Sequence, residues 1–519
     1  MVKYKLLVLF VFFITPFCPN LLIATNTPPL SADQQIAEQI YQKLQQTIGD
    51  KRRDWPKLQV WGVVDRVASF VPNENTIYLD QKAIDICKTF NGQFEAALAF
   101  IIGHELTHFY QAHDWKVSGF VTHFMVAKED FQEHLEHERQ ADVYGAFIAQ
   151  QAGFQTIRIV PNLLNSIYKE YQLSSQADSK YPSLVDRQAL AQEACHIAAD
   201  LVEVYHTANY AMVLGKYEVA YQLYDFVGQS LQFKELYFNM AMSNLLQYYF
   251  WNTDLQLAYN FEIDPSIPLT RTDQMRHPSI LLAEAERFFQ KILQDFDANY
   301  FPAHLQLLTV YDWQNKTSNM NQQIAWLKTY CPPQQQKHLL LAIGNYYARQ
   351  GQVNLAQEQY QSILQSSQPN TVEQLAKANS QFLQTGQSNK QKPSTRPSLR
   401  IEKGIDEIPS LTFYKNFPRN ISIKTAIQLA TNEHRNSYIS KLNYQDQLLK
   451  LQRVYSPSIT SNKGIRIGST KAELERAYPQ SQLGIVRHTE GYYIVNYEKG
   501  LIFKCNQQGI VEEWSLFVL

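Results

Sequence analysis

Apolar and polar positions alternate with different periods along this chain and divide it into blocks. The stretch "QVWGVVDRVASFVPNENTIYLDQ" (59–81) is rich in β-branched and aromatic residues and lies between helical patterns, so it predicts strands. Residues 199–384 follow a helical period almost throughout, with Tyr, Leu, Ala and Gln prominent. Residues 385–400, "TGQSNKQKPSTRPSLR", hold two prolines and little apolar content, which is the composition of an exposed linker. Strand patterns return over 401–519, with turns predicted at Glu498–Gly500 and Asn506–Gly509. Within that block, "KGIRIGSTKAELERAYPQSQ" (463–482) reads as a strand and then a helix capped near Ser469 or Thr470, with Glu473 in the first turn. The whole pattern is α+β. At 519 residues the chain is too long for a single core.

The first residues, "MVKYKLLVLFVFFITPFCPNLLIATN", place Lys3 and Lys5 before an apolar run broken by Pro16 and Pro19. The run is short for a bilayer span and has the layout of a secretory signal over 1–24, cleaved near Ala24. Export across an inner membrane to a periplasmic or envelope location follows. Membrane association is expected only if the segment is retained as an anchor or Cys18 is lipidated. The 47 basic and 48 acidic side chains nearly cancel, which argues against a broad electrostatic grip on nucleic acid. Cys87, Cys195, Cys331 and Cys505 are too far apart to suggest a metal knuckle or a disulfide framework, and they read as small buried residues.

The helical block repeats. "VLGKYEVAYQLY" (213–224) and "RQGQVNLAQEQY" (349–360) align Gly215 with Gly351, Ala220 with Ala356 and Tyr224 with Tyr360, at an offset of 136 positions. That is four times the 34-residue period of the tetratricopeptide repeat, which the block resembles. "AEAERFFQKIL" (283–293) and the following "DANYFPAHLQLLTVY" supply another helix pair, and 251–278 breaks the period. Stacked helix pairs of this kind offer a concave surface to peptide or protein segments.

The chemistry concentrates in "IIGHELTHFY" (101–110). Positions i and i+4 share a helix face, so His104 and His108 can point at one ion, and Glu105 lies about 100° further round. A catalytic zinc needs a third protein ligand, and "EHLEHERQADVYGAFIAQQAGF" (133–154) is the dense supply. There Glu138, Asp142, Gly145 and Ala149 follow one helical stripe that ends in small residues, so another helix can approach closely. A carboxylate on such a packed face needs a partner. For Glu138 that partner would be the metal, and for Asp142 the ring N–H of a ligand histidine. Glu133, His134, Glu136 and His137 fall mostly on other faces. The HExxHxxGxxH alternative fails because positions 111 and 114 are Gln111 and Asp114.

HELTH followed by "ERQAD" resembles the HExxH…ExxAD pattern of gluzincin peptidases of the HtpX/BepA type, over about residues 60–190. His113 stands where that family often has a histidine, and both His113 and His123 read as surface or structural residues. The resemblance implies a zincin-like, mainly helical catalytic domain with a small sheet over 31–198. It also implies one Zn2+ per chain on His104, His108 and Glu138, with Glu105 as general base. The segment "NTIYLDQ" would be the sheet edge that receives substrate. The family's His-Pro pair is replaced by Tyr181-Pro182, which makes Tyr181 the candidate transition-state donor, with Arg187 beyond it. A helical-repeat region (199–384), a linker (385–400) and a small α/β module (401–519) complete the expected organisation. The implied activity is that of a zinc endopeptidase acting on unfolded or misassembled envelope proteins, with the repeats holding substrate or assembly partners. The alternative is a catalytically silent chaperone or assembly factor that binds proteins through those repeats.

Overall fold

The computed structural model describes residues 31–50, 54–62, 66–110, 118–120, 131–156, 158–173, 183–252, 276–364, 371–386, 419–424, 427–434, 437–444, 447–479, 483–488 and 491–518. The signal segment, almost all of the linker, His113, His123 and Tyr181 lie outside the described residues. Among the described residues the architecture is α+β, mostly helical with two sheets. Among the described residues no helix is long and apolar enough to cross a membrane.

The first sheet comprises β1 (Lys57–Trp61), β2 (Ala68–Val71), β3 (Thr76–Asp80) and β4 (Ser118–Phe120), in the order β1-β3-β2-β4. β3 runs parallel to β1 and antiparallel to β2. This corrects the expectation that "NTIYLDQ" forms an edge, because β3 is paired on both sides. The outer edge of β1 is closed by a side chain from helix α1 (Ala32–Ile48). Gln34 donates to the Leu58 carbonyl at 3.1 Å and accepts from the Val60 N–H at 2.8 Å, the pair of bonds a neighbouring strand would make. Leu58, Ala68, Phe70, Ile77 and Leu79 are buried in one core with helix α2 (Gln81–Lys88) and helix α3 (Phe94–Tyr110).

Helix α4 (Phe131–Gln151), helix α5 (Val160–Glu170) and the 30-residue helix α6 (Leu184–Val213) follow. α6 runs unbroken through position 198 and packs on α4 at one end and on helix α7 (Tyr217–Gly228) at the other. Helical hairpins continue with α8 (Lys234–Trp251) and the helices Pro278–Asp295, Phe301–Trp313, Thr317–Tyr330, Gln336–Arg349, Val353–Ile363 and Thr371–Thr385. Three of the turns share one geometry. Gly215, Asn315 and Gly351 are left-handed (φ 72°, 58° and 71°), and the next residue's N–H reaches back five positions, to Ala211, Tyr311 and Tyr347. The aligned Tyr224 and Tyr360 are buried and donate to Asn209 and Asn345, which are again 136 positions apart.

The second sheet has eight antiparallel strands: β5 (Arg419–Lys424), β6 (Ile427–His434), β7 (Ser437–Tyr444), β8 (Gln447–Val454), β9 (Leu483–His488), β10 (Gly491–Asn496), β11 (Leu501–Asn506) and β12 (Val511–Val518). Their order is β5-β6-β7-β8-β12-β11-β10-β9. One face shares the core of the helical region through Leu429, Leu451, Tyr493, Val495 and Phe517. The other face holds Ile494, Phe503 and Trp514 against helix Lys471–Ala477. Thr470 caps that helix in a capping box with Glu473. The expected strand at 463–468 does not form. Gly464 and Gly468 turn left-handed (φ 80° and 90°), and Ile465 is used as a core plug.

Candidate metal centre

α3 and α4 cross where neither has a side chain. A Cβ on Gly145 would meet the Gly103 carbonyl carbon and the His104 backbone nitrogen at 2.7 Å. The small stripe on α4 thus meets a glycine on α3 that ligand spacing does not single out, although "GHELTH" contains it. This close approach brings the HELTH face against Glu138 and Asp142.

His104, His108 and Glu138 form a group able to hold a metal ion. His104 Nε2 lies 3.2 Å from His108 Nε2 and 3.3 Å from Glu138 Oε2, and His108 Nε2 is 3.5 Å from Glu138 Oε1. Both histidines are buried, and Glu138 keeps partial exposure at the mouth of the group. His137, one residue earlier, is not among these ligands.

Asp142 stands behind the group as expected. Its Oδ1 is 2.9 Å from His104 Nδ1. Asp142 therefore holds the proton of a neutral ring on Nδ1 and turns the Nε2 lone pair toward His108 and Glu138. Arg187, near the start of α6, donates to both oxygens of Asp142 at 2.5 and 3.0 Å, a bidentate pair that fixes the carboxylate. Burial disfavours charge on Asp142, yet Arg187 first and His104 next hold its carboxyl below the ordinary value. With no ion present, burial opposes a second proton on His104, but Asp142 and Glu138 outweigh it and raise its pKa to about 10; that second proton sits on Nε2, and a bound ion would displace it to leave the neutral ring.

Glu105 is fully buried, and its Oε2 accepts from the Phe70 backbone N–H of β2 at 2.8 Å. The sequence carries no local signal for that contact, because it depends on how the sheet lies over α3. No known family model matches the chain, and no curated protein matches it.

Proposed function

We propose that this chain is a zinc-dependent endopeptidase, with His104, His108 and Glu138 as the metal ligands and Glu105 as the general base. The observation that carries the reading is the spacing of the three donor groups, at 3.2, 3.3 and 3.5 Å. Ligands about 2.0–2.1 Å from a tetrahedral ion lie about 3.3–3.4 Å from one another. Two neutral imidazoles and a carboxylate are also the donor set of open zinc sites. When bound, the ion would polarise a carbonyl and acidify water. Glu105 would accept the proton of the attacking water and pass it to the leaving amine. Asp142 and Arg187 would keep His104 in one tautomer and one orientation.

The resemblance to HtpX/BepA-type peptidases, together with the repeated turns and Tyr–Asn pairs of the helical region, supports polypeptide substrates held in part by tetratricopeptide-like repeats. The signal-like N terminus supports an envelope location.

Zinc content measured beside cleavage of an unfolded protein tests the assignment. Glu105→Gln should lower turnover by about a hundred- to ten-thousandfold and keep about one zinc per chain. Glu138→Ala should lose the metal. A Glu105→Gln protein that binds no zinc, or a Glu138→Ala protein that binds it as wild type does, would reverse the roles of these two glutamates.

A further inference from the structure

The second sheet reaches back to α6 and α7, and the contact contains a buried ion cluster. Arg453 of β8 donates through Nη1 to both oxygens of Glu203 on α6, at 2.9 and 3.0 Å. Through Nε it donates to Glu513 of β12 at 3.0 Å. Tyr210, two turns beyond Glu203 on α6, donates to the same Glu513 oxygen. Tyr210 also packs against Tyr493 of β10, and Tyr497 donates to the Val213 carbonyl at 3.4 Å. Glu203, Arg453 and Tyr210 are all less than 6 % exposed.

One guanidinium is therefore shared by two carboxylates from opposite sides of the contact. Apolar contacts around the cluster, among them Leu451, Tyr493, Val495 and Phe517 with the α6 and α7 core, are non-directional. They would stabilise many positions of the sheet. The ion cluster stabilises only the position in which Arg453 lies between Glu203 and Glu513, because any other leaves buried charge without a counterion. Thr207 on α6 and Ser515 on β12 are buried as well.

We infer that Arg453 is a latch: the C-terminal sheet docks on α6 only while this arginine is shared between Glu203 and Glu513. Without it, two carboxylates face each other in a closed interface and drive the sheet off the helix. The latch is separate from the metal centre. It ties the middle of α6 to β8 and β12, whereas His104, Asp142 and Arg187 tie α3 and α4 to the start of α6.

The test uses the full chain with Ser515→Cys as a buried probe, since Ser515 pairs with Arg453 across the β8–β12 ladder. Labelling of that thiol by a small reagent, read by peptide mass, reports opening of the contact. Zinc content reports the integrity of the rest of the chain. Adding Arg453→Met should accelerate labelling roughly a hundredfold or more, with zinc content unchanged. The neutral combination E203Q/R453M/E513Q should return labelling to within a few fold of the parent, because no buried charge is left. Parental labelling in Arg453→Met, or a neutral combination as open as Arg453→Met, overturns the latch. If Arg453→Met does not fold, Arg453→Lys decides. A single ammonium cannot reproduce the Nε and Nη1 contacts together, so labelling several times faster is expected, and the parental rate would overturn the proposal.

Discussion

Two buried clusters in this protein are each organised around one arginine, and they differ in where their polar atoms point. In the α6–sheet cluster, Arg453 lies between Glu203 and Glu513, and the groups close on one another. In the α3–α4 cluster, Arg187 and His104 share Asp142, while His104 Nε2, His108 Nε2 and Glu138 converge on one point. In the first arrangement each charged group has its partner within the protein. The second gathers three electron-pair donors around a point that a metal ion would fill, and the ion would supply the positive charge they call for. A buried arginine therefore does not mark function by itself. The direction of the remaining donors does.

Exchanging the two arginines for methionine gives the sharpest test of that contrast. Arg187→Met should weaken zinc binding by about ten- to a hundredfold, the range for loss of an outer partner of a ligand histidine. Arg453→Met should leave zinc binding alone. Equal zinc affinities for wild type and Arg187→Met, measured by competition with a chelating dye, would reduce Arg187 to packing.

The next effect is one of stability. Gly145→Ala sets a methyl group against the Gly103 and His104 backbones, so it should cost about 1–3 kcal/mol in the metal-free protein and loosen the candidate metal site. Chemical denaturation gives the first number. A substitution by alanine at Gly153, where a Cβ would meet nothing within 4 Å although φ is 92°, should cost backbone strain without touching the metal.

The last effect is a pH dependence confined to the sheet contact. Burial opposes ionisation of Glu513, but Arg453, His206 and Tyr210 outweigh it and lower its pKa to about 2. A carboxyl depressed on folding contributes stability above its unfolded value of 4.5, and that contribution is lost as pH falls toward 2. Glu203 on the same cluster shifts the other way, raised by burial. The informative quantity is therefore the difference between wild type and Glu513→Gln. It should be constant above about pH 5 and shrink on acidification, followed through the near-ultraviolet signal of the buried Trp514. A difference that does not change with pH would mean that Glu513 is not held ionised by the latch.

Much of the candidate metal centre was legible because helical spacing is local. His104 and His108 share a face by their separation alone, and the stripe from Glu138 through Asp142 to Gly145 fixes which side of α4 turns inward. Arg187 entered only through the family resemblance, and the structure places it on Asp142. Strand order was not legible, since neighbours in a sheet are chosen by distant segments. The pattern of "NTIYLDQ" suits an edge or a centre equally, and the Gln34 side chain that closes β1 comes from another element. The run "GIRIG" alternates like a strand, yet its glycines turn the chain and Ile465 and Ile467 serve as separate plugs in the core. The two halves of the ion latch, Glu203 and Arg453, are 250 positions apart, and no periodicity links them.

The unbroken course of α6 sets a lower limit on what can be separated from this molecule. Arg187 sits in its first turn, and Tyr205, Ala208 and Ala211 on its far half are buried in the helical region. A cut at residue 198 would shorten the helix by half and strip the cover from both remaining pieces. The smallest excisable portion that keeps His104 oriented must run at least to Val213 and carry α7 with it. Cutting and joining near residue 198, whether by a protease or by recombination, would therefore be disfavoured, and the candidate metal site and the α6–α7 hairpin should travel together.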